Sequence, residues 1–592
     1  MTTATLTSRT CEECSFESFD GTKLFYRYWP APDQATARAV LLFHRGHEHG
    51  GRMAHLVDEL GLDDYAFFAW DARGLGRSPG QRGYAENVGV LVKDVDAFAR
   101  HICSRYGLSM SDLAVVAQSV GAVLVSAWVH DYAPPIRCMV LASPAFKVKL
   151  YVPFARQALL LMQRFRPRFF VNSYVRPGFL THDRQRAASY ATDPLITPAI
   201  AVGILLGLYD TAQRVVADAE TITVPTQLLI SGADWVVHRA PQQAFFARLG
   251  SSIKESHVLE GFFHDTLGEK DRAPALARVR AFLVQRFAAA PVSVRLRDAD
   301  RRGVTRAEFD RLSRPPVSVV ARIYWAASRL GIRLGGMLSN GIRLGLDTGF
   351  DSGSTLDYVY RNVPAGVTPL GRLIDRVYLD SIGWRGIRVR KMHVERLIGI
   401  ALGTLQAAAR PVRVTDIAAG HGRYVFDALR RSSVVPDHVL LRDYSAPNVE
   451  AGRRLIEERG LQAIARFVEG DAFDGASLAA MTPRPTLAVV SGLYELFPDN
   501  ALIRRSLAGL SAAIEDGGYL VTTCQPWHPQ LEMIARTLAS HRQGSPWIMR
   551  RRTQAEMDQL LAEAGFEKLD QYADPWGIFT VSLSRKCASA KS

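Results

Sequence analysis

One serine in this chain stands between an apolar strand pattern and a helical one, a place from which a hydroxyl could act as a nucleophile. The run Leu113-Ala-Val-Val-Ala117 is apolar throughout and reads as a buried parallel strand. It stops at Gln118-Ser119-Val120-Gly121, and a helical pattern of Ala122, Leu124, Val125, Ala127 and Trp128 begins at once. A strand that turns sharply into a helix with Ser at the apex has room only for small residues two before and two after it, because anything larger strikes the neighbouring strand or the helix. Ala117 and Gly121 meet that demand. The pentapeptide is either an Ala-x-Ser-x-Gly nucleophile elbow or a strand-to-helix turn that merely contains Ser. As an elbow, it would present the Ser119 hydroxyl for acyl transfer, with the backbone N–H of Val120 available to an oxyanion.

A second constellation lies far downstream. Val412-Arg-Val-Thr-Asp-Ile-Ala-Ala-Gly-His-Gly-Arg423 is a strand running into a glycine-containing turn, with helix Tyr424 to Arg430 behind it. Backbone without bulky side chains at Gly420 and Gly422 lets a ligand approach the turn and the helix N-terminus closely. Acids then close two further apolar strands: Asp443 ends Val439-Leu-Leu-Arg-Asp, and Asp471 follows Phe467-Val-Glu-Gly.

These sites need elements to position them. At 592 residues the chain is too long for one core, and two to four domains are expected. Its 48% apolar and 22% charged residues are ordinary for a globular protein. The net charge of +14 suggests an anionic partner such as lipid headgroups, or solvated Arg-rich faces. No interleaving of aromatic and basic residues marks a nucleic-acid module, so nucleic acid is not expected. Met1 to Ser15 lack an apolar signal segment, and no window reaches 18 uninterrupted apolar residues. A cytoplasmic protein with reduced thiols is therefore expected, with peripheral contact to an anionic membrane as one use of its charge. Cys11 and Cys14 form a lone C-x-x-C, read as an incidental pair on a flexible N-terminus; no metal is expected. Oligomeric state is not written in the sequence.

In the first half, Ser15 to Trp29 reads as a hairpin around Asp20-Gly21, and Ala39–Phe43, Tyr65–Trp70, Cys138–Ala142 and Thr226–Ile230 read as strands alternating with helices. That is the pattern of a doubly wound parallel sheet. Its loops carry a resemblance. His44, Glu48, His49, Gly51 and Arg52, then Asp71-x-Arg-Gly-x-Gly-x-Ser-x-Gly80, then the elbow, resemble α/β-hydrolases of the monoacylglycerol lipase and lysophospholipase branch. The resemblance covers about residues 15 to 290. It implies the chain order Ser, acid, His, and so a triad of Ser119, Asp234 at the end of Thr226-Gln-Leu-Leu-Ile230-Ser-Gly-Ala, and His264 in Gly261-Phe-Phe-His-Asp265. It also implies an oxyanion hole from the N–H groups of Val120 and Gly46, although Arg45 stands where the family usually has Gly. His44, His47 and His49 have the spacing of a loop rather than a chelate. Residues from about 146 to 220 read as a helical cap, with amphipathic segments at Phe154–Phe165, Pro167–Tyr174, Thr181–Tyr190 and Leu195–Val215. Such a cap makes an apolar tunnel for an acyl chain.

Residues 291 to 350 read as a basic connector. Val317 to Leu334 is amphipathic, either an interfacial helix on anionic lipid or a helix packed between domains. Gly335, Gly336, Gly341 and Gly345 make the remainder a loop or sharp bend.

The second half, 351 to 592, resembles class I S-adenosylmethionine-dependent methyltransferases. Ala418, Gly420 and Gly422 match their glycine turn, with Ala418 where the first Gly commonly stands. The resemblance assigns Asp416, Ala418, Gly420, Gly422, Asp443 and Asp471 to S-adenosylmethionine, Asp443 towards the ribose hydroxyls and Asp471 near the adenine. A nucleotide-phosphate turn is the rival reading. Tyr494, Glu495 and His528 follow strand ends and are candidates to face the acceptor. The whole is then an α/β-hydrolase fold with a helical cap followed by a Rossmann-like methyltransferase domain. Its expected function is hydrolysis of a monoacylglycerol- or lysophospholipid-like ester together with methyl transfer to an unnamed acceptor. The alternative is a hydrolase joined to a non-catalytic S-adenosylmethionine-binding scaffold.

Overall fold

Short apolar runs bounded by turn residues become the centre of each sheet, because a strand flanked on both sides by others and covered on both faces has no polar side to show. The computed structural model describes residues 9–32, 38–149, 151–152, 154–173, 175–542 and 544–588. It divides into two units, Met1–Val294 and Arg295–Ser592.

The first unit is built on an eight-stranded sheet of β1 (Glu12–Glu17), β2 (Lys23–Trp29), β3 (Ala39–Phe43), β4 (Ala66–Trp70), β5 (Leu113–Gln118), β6 (Cys138–Ala142), β9 (Thr226–Ser231) and β10 (Lys254–Leu259). Their order is β1-β2-β4-β3-β5-β6-β9-β10, parallel from β4 onward and antiparallel at the β1–β2 hairpin and its junction with β4. Every residue of β3, β5, β6 and β9 is buried. β10, Lys-Glu-Ser-His-Val-Leu, is a polar edge strand with no apolar run to announce it. Cys14 lies within β1 opposite Tyr26 and Cys11 immediately precedes that strand, so the pair adjoins the sheet and is not on a flexible end.

The cap differs from its expected all-helical form. Helices Ala155–Phe165, Arg184–Thr192 and Val202–Ala217 are joined by a small antiparallel ladder of β7 (Phe170–Asn172) and β8 (Ala199–Ala201). The Pro167–Tyr174 segment therefore supplies a strand, and Tyr174 itself lies outside the described residues. The histidine loop after β3 fastens the cap. His47 Nδ1 lies 2.9 Å from the carbonyl of Thr197, and His49 Nε2 lies 3.0 Å from Asp193.

The second unit holds a seven-stranded sheet of β11 (Arg413–Asp416), β12 (His438–Asp443), β13 (Ala465–Glu469), β14 (Leu487–Val490), β15 (Tyr519–Cys524), β16 (Phe566–Ala573) and β17 (Thr580–Lys586), in the order β13-β12-β11-β14-β15-β17-β16. All neighbours are parallel except β17, which is antiparallel to both β15 and β16. The order reverses between β11 and β14, the place where such sheets open a crevice at their carboxyl ends.

The expected connector is part of this unit. Helices Val304–Ser313, Val319–Leu338 and Asn340–Thr348 occupy it, and Leu312, Ile342 and Phe350 share a core with Trp384 and Trp547. The glycines expected to form a loop sit inside two of these helices. A Cβ on Gly336 would fall 2.5 Å from Leu346, and one on Gly345 would fall 2.5 Å from the Phe350 ring, so both admit close neighbours. Helix Val319–Leu338 buries only Gly336 and leaves Val320, Ile323, Leu334 and Met337 more than half exposed. No helix among the described residues is long and apolar enough to cross a membrane.

Candidate active sites

Ser119 occupies the turn between β5 and helix Val120–Tyr132, with φ 56° and ψ −114°. That strained conformation holds its side chain above the sheet. Gly121 must stay small, since a Cβ there would lie 2.6 Å from the His44 carbonyl oxygen and 2.7 Å from that of Phe43. Ala117 is paired with Phe43 on β3, which gives the other small residue its reason. His264 arrives from the loop after β10. Its Nε2 is 2.8 Å from Ser119 Oγ, and its Nδ1 is 2.8 Å from Asp234 Oδ2. Asp234 follows β9 and is fixed through Oδ1, which accepts the N–H groups of Val236 at 2.7 Å and Val237 at 2.9 Å. Burial pushes the Asp234 carboxyl up, but His264 and those two N–H groups outweigh it, so it lies below the usual carboxylate value. The relay is buried and ordered in the direction that lets imidazole take a proton from the hydroxyl.

Gly46 lies against Val120, where an added Cβ would meet the valine side chain at 3.0 Å. Among the described residues, neither backbone N–H donates a hydrogen bond, leaving two neighbouring donors for an oxyanion. Arg45, the residue out of pattern, is buried and has its charge met by Glu48 and by Asp265 at 3.5 Å. Gln118, unremarked in the sequence, donates to the His264 carbonyl and to Asp265, both at 3.1 Å, and so anchors the histidine loop to the elbow strand. Burial holds the imidazoles of His44 and His47 below their ordinary pKa. Ser119, His264, Gly46 and Val120 open into a cavity of about 810 Å³ beneath the cap, walled mainly by apolar side chains including Val148, Leu159, Ile200, Leu205 and Trp235.

In the second unit, Ala418, Gly420, Gly422, Asp443 and Asp471 all line one cavity of about 740 Å³. Gly420 and Gly422 have φ of 57° and 74°, a region that costs an L side chain strain. Gly420 N–H donates to Asp443 Oδ2 at 2.9 Å, while Asp443 Oδ1 accepts from Ser445 N at 2.9 Å and Asn448 Nδ2 at 3.1 Å. Asp471 accepts the Phe473 N–H at 2.8 Å. Asp416 is not brought to the cavity. It is fully buried under the turn, where burial raises its carboxyl to about 7.

The wall facing the turn comes from residues that sequence reasoning passed over: Asp351, the Ser352 cap, and Asp357 and Tyr360 of helix Gly353–Arg361. The Ser-Gly N-cap before an amphipathic run was the available signal. Of the three acceptor candidates, Tyr494 is withdrawn into the core with its hydroxyl on Ser506 at 2.9 Å. Glu495 and His528 line an adjoining apolar cavity.

These donor sets test the rival ligands. Asp351, Asp357, Asp443 and Asp471 line the larger cavity together with Arg423 and Arg542, with Asp357 paired to Arg423 and Asp351 to His541, while Asp443, at a strand end beside the glycine turn, suits ribose hydroxyls. Ile417, Phe473, Leu493 and Phe497 give an apolar wall for a purine. The residues present fit S-adenosylmethionine.

The fold and these sites define a chain of two α/β domains, the first an α/β-hydrolase with a helical cap and the second of the Rossmann-like methyltransferase class. Residues 34–271 match the family model described as "Serine aminopeptidase, S33". Residues 279–586, just over half of the chain, match the one described as "Putative methyltransferase", and the protein belongs to that family. It is 54% identical over 578 residues to the Escherichia coli (strain K12) protein described as "Uncharacterized protein YnbC", covering 98% of this chain and 99% of that one. The first half is 25% identical over 286 residues to a monoacylglycerol lipase of Mycolicibacterium smegmatis, covering 47% of this chain and 99% of that enzyme. It is also 27% identical over 250 residues to human monoglyceride lipase, covering 41% of this chain and 80% of that enzyme.

Proposed function

We propose that the chain is a bifunctional enzyme whose first domain hydrolyses a monoacylglycerol- or lysophospholipid-like ester and whose second transfers methyl from S-adenosylmethionine. The observation that carries the first half is the Ser119–His264–Asp234 chain of 2.8 Å contacts at the floor of an apolar cavity. His264 Nε2 takes the hydroxyl proton as Ser119 Oγ attacks the ester carbonyl carbon. The oxygen of the tetrahedral intermediate then turns to the N–H groups of Val120 and Gly46. The alcohol leaves with the proton held on His264. Water, activated by the same imidazole, releases the fatty acid from Ser119. Turnover of p-nitrophenyl esters by wild type and by Ser119→Ala tests this, and undiminished turnover in the variant rejects it.

For the second domain, support lies in the strand-end acids Asp443 and Asp471 and the positive-φ glycines around one cavity. Asp443 would hold the ribose and Asp471 with Phe473 the purine. When bound, S-adenosylmethionine supplies an electrophilic methyl, which the protein's task is to aim and to keep from water.

A lipid surface suits both halves. The cap helix Ala155–Phe165 exposes Leu161, Met162 and Phe165 beside Arg164, and in the second unit Val320, Ile323, Leu334 and Met337 share one exposed helix face. Helix Pro369–Leu379 exposes Leu370, Leu373 and Val377 beside Arg372 and Arg376. Apolar anchors flanked by Arg suit an anionic bilayer.

A further inference from the structure

Beside the glycine turn lies a second, smaller cavity of about 260 Å³ that belongs wholly to the methyltransferase domain. It shares Asp351, Leu356, Gly492 and Leu496 with the larger cavity, so the two meet at the carboxyl end of β14. Trp384, Trp547, Phe350, Ile342, Met533 and Phe579 give it an apolar body. Several of its polar atoms are buried yet unsatisfied: Glu495 Oε2, Gln525 Nε2 and Arg390 Nε, on residues 6%, 2% and 3% exposed, and also the Tyr378 hydroxyl and Trp547 Nε1, have no hydrogen-bond partner among the described residues. Folded proteins rarely leave such atoms unpaired unless a ligand or water completes them.

Their chemistry is specific. Glu495 Oε1 accepts Thr523 Oγ1–H at 2.9 Å, and Thr523 Oγ1 in turn accepts the Gly492 N–H at 2.8 Å, which aligns the carboxylate with the end of β14. Arg390 Nη1 lies 3.7 Å from the same Oε1, so the pair is neutral overall. His528 Nδ1 accepts the Gln530 N–H at 3.0 Å, and burial holds the imidazole down to about 4. Its one ring hydrogen at neutral pH is therefore on Nε2, and the ring is a donor there rather than a base. Glu495 thus offers an unpaired carboxylate oxygen beside the donors of Arg390, Gln525 and His528, and the other carboxylate on the wall, Asp351, already accepts from Ser540 Oγ and the His541 N–H.

We propose that this cavity is the methyl-acceptor pocket and that its occupant is an uncharged hydrophobic molecule presenting one hydroxyl to Glu495. A carboxylate would face Glu495, and an ammonium would face Arg390. A hydroxyl donates to Glu495 Oε2, which is also where its proton goes, and accepts from Gln525 or His528. The assignment of the pocket to the acceptor rests on the methyl-transfer reading; the preference for a hydroxyl does not.

The test is calorimetric binding to the full chain of 4-butylphenol, its methyl ether, 4-butylbenzoate and 4-butylbenzylammonium, each with and without saturating S-adenosylhomocysteine. The phenol is expected to bind at least tenfold more tightly than the other three, and Glu495→Leu and Gln525→Leu, each checked for an unchanged melting profile, are expected to erase that margin. Equal affinity for phenol and ether, tighter binding of a charged analogue, or a margin that survives in a folded Glu495→Leu protein overturns the proposal. If either variant fails to fold, the wild-type selectivity decides it. Phenol selectivity without any S-adenosylhomocysteine binding would retain the hydroxyl site and reject the methyl-transfer reading; cofactor binding without phenol selectivity would do the reverse.

Discussion

The Oγ of Ser119 lies 2.8 Å from Nε2 of His264, a residue 145 positions further along the chain. The strand-end turn that carries Ser119 and the loop that carries His264 are also joined through Gln118, which bonds the backbone and the side chain on either side of that contact. The geometry is thus set by two independent links.

Removing the nucleophile or misdirecting the base should therefore be severe and local. Ser119→Ala and Asp234→Asn are each expected to lower ester kcat by about 10⁴-fold or more, the scale on which loss of a relay member acts elsewhere. Steady-state kinetics on p-nitrophenyl esters alongside thermal melts check this, and a fall in activity that tracks a fall in melting temperature would count against a chemical role.

The buried cluster around Asp265 sets a pH dependence of stability. Burial alone would raise this carboxyl, but Arg45 and Arg186 reverse the effect and hold it well below the carboxylate range. A carboxyl depressed in the folded state contributes stability that is present above the ordinary aspartate value of about 3.9 and is lost as pH falls through the folded value. Asp265→Asn is expected to cost about 3 kcal/mol at pH 7, because it takes the charge partner from the half-buried Arg186 and leaves the buried Arg45 with Glu48 alone. That difference should narrow in urea unfolding as pH is lowered below about 4. A gap that stays constant down to pH 3 would show that the carboxylate charge is not the source.

Cofactor binding should depend on Asp443 and on the bare backbone at Gly420. Calorimetry with S-adenosylhomocysteine is expected to give a clear heat that Asp443→Ala weakens by about 10- to 100-fold, the worth of hydrogen bonds to a charged group. Gly420→Arg is expected to abolish it, since the residue would have to adopt φ 57° in the mouth of the cavity. No heat at millimolar ligand would reject the assignment.

The exposed apolar helix faces should find lipid. Co-sedimentation with vesicles of anionic phospholipid is expected for the full chain, weaker with neutral vesicles and reduced by Ile323→Glu with Leu334→Glu or by Leu161→Glu with Phe165→Glu. Equal recovery with anionic and neutral vesicles, or concentration-dependent self-association in their absence, would instead point to another use of these faces.

What the residues by themselves determined is local in origin. The buried strands, the elbow forced by Ala117 and Gly121, and the glycine turn at Gly420 follow from side-chain size and apolar periodicity over a few positions, which act before any long-range contact forms. The order Ser119, Asp234 and His264 comes from the resemblance to a known family, not from spacing, since no apolar run announces the strand before His264. Tertiary structure decided the rest, because it depends on packing between distant segments. In the sequence Arg45 is only a bulky cation where the family usually has Gly; the fold sets Glu48 and Asp265 against it. Asp416 ends a strand just as Asp443 does, yet one register and one turn bury the first and bring the second to the cavity. Gly336 and Gly345 signal a loop by composition, and only the neighbouring Leu346 and Phe350 make them points of close helix contact. The smaller cavity of the second unit divides the same way: Glu495 and His528 were candidates by their places after strand ends, but Tyr494 beside them turns into the core and Arg390, from a helix far up the chain, joins them only through packing.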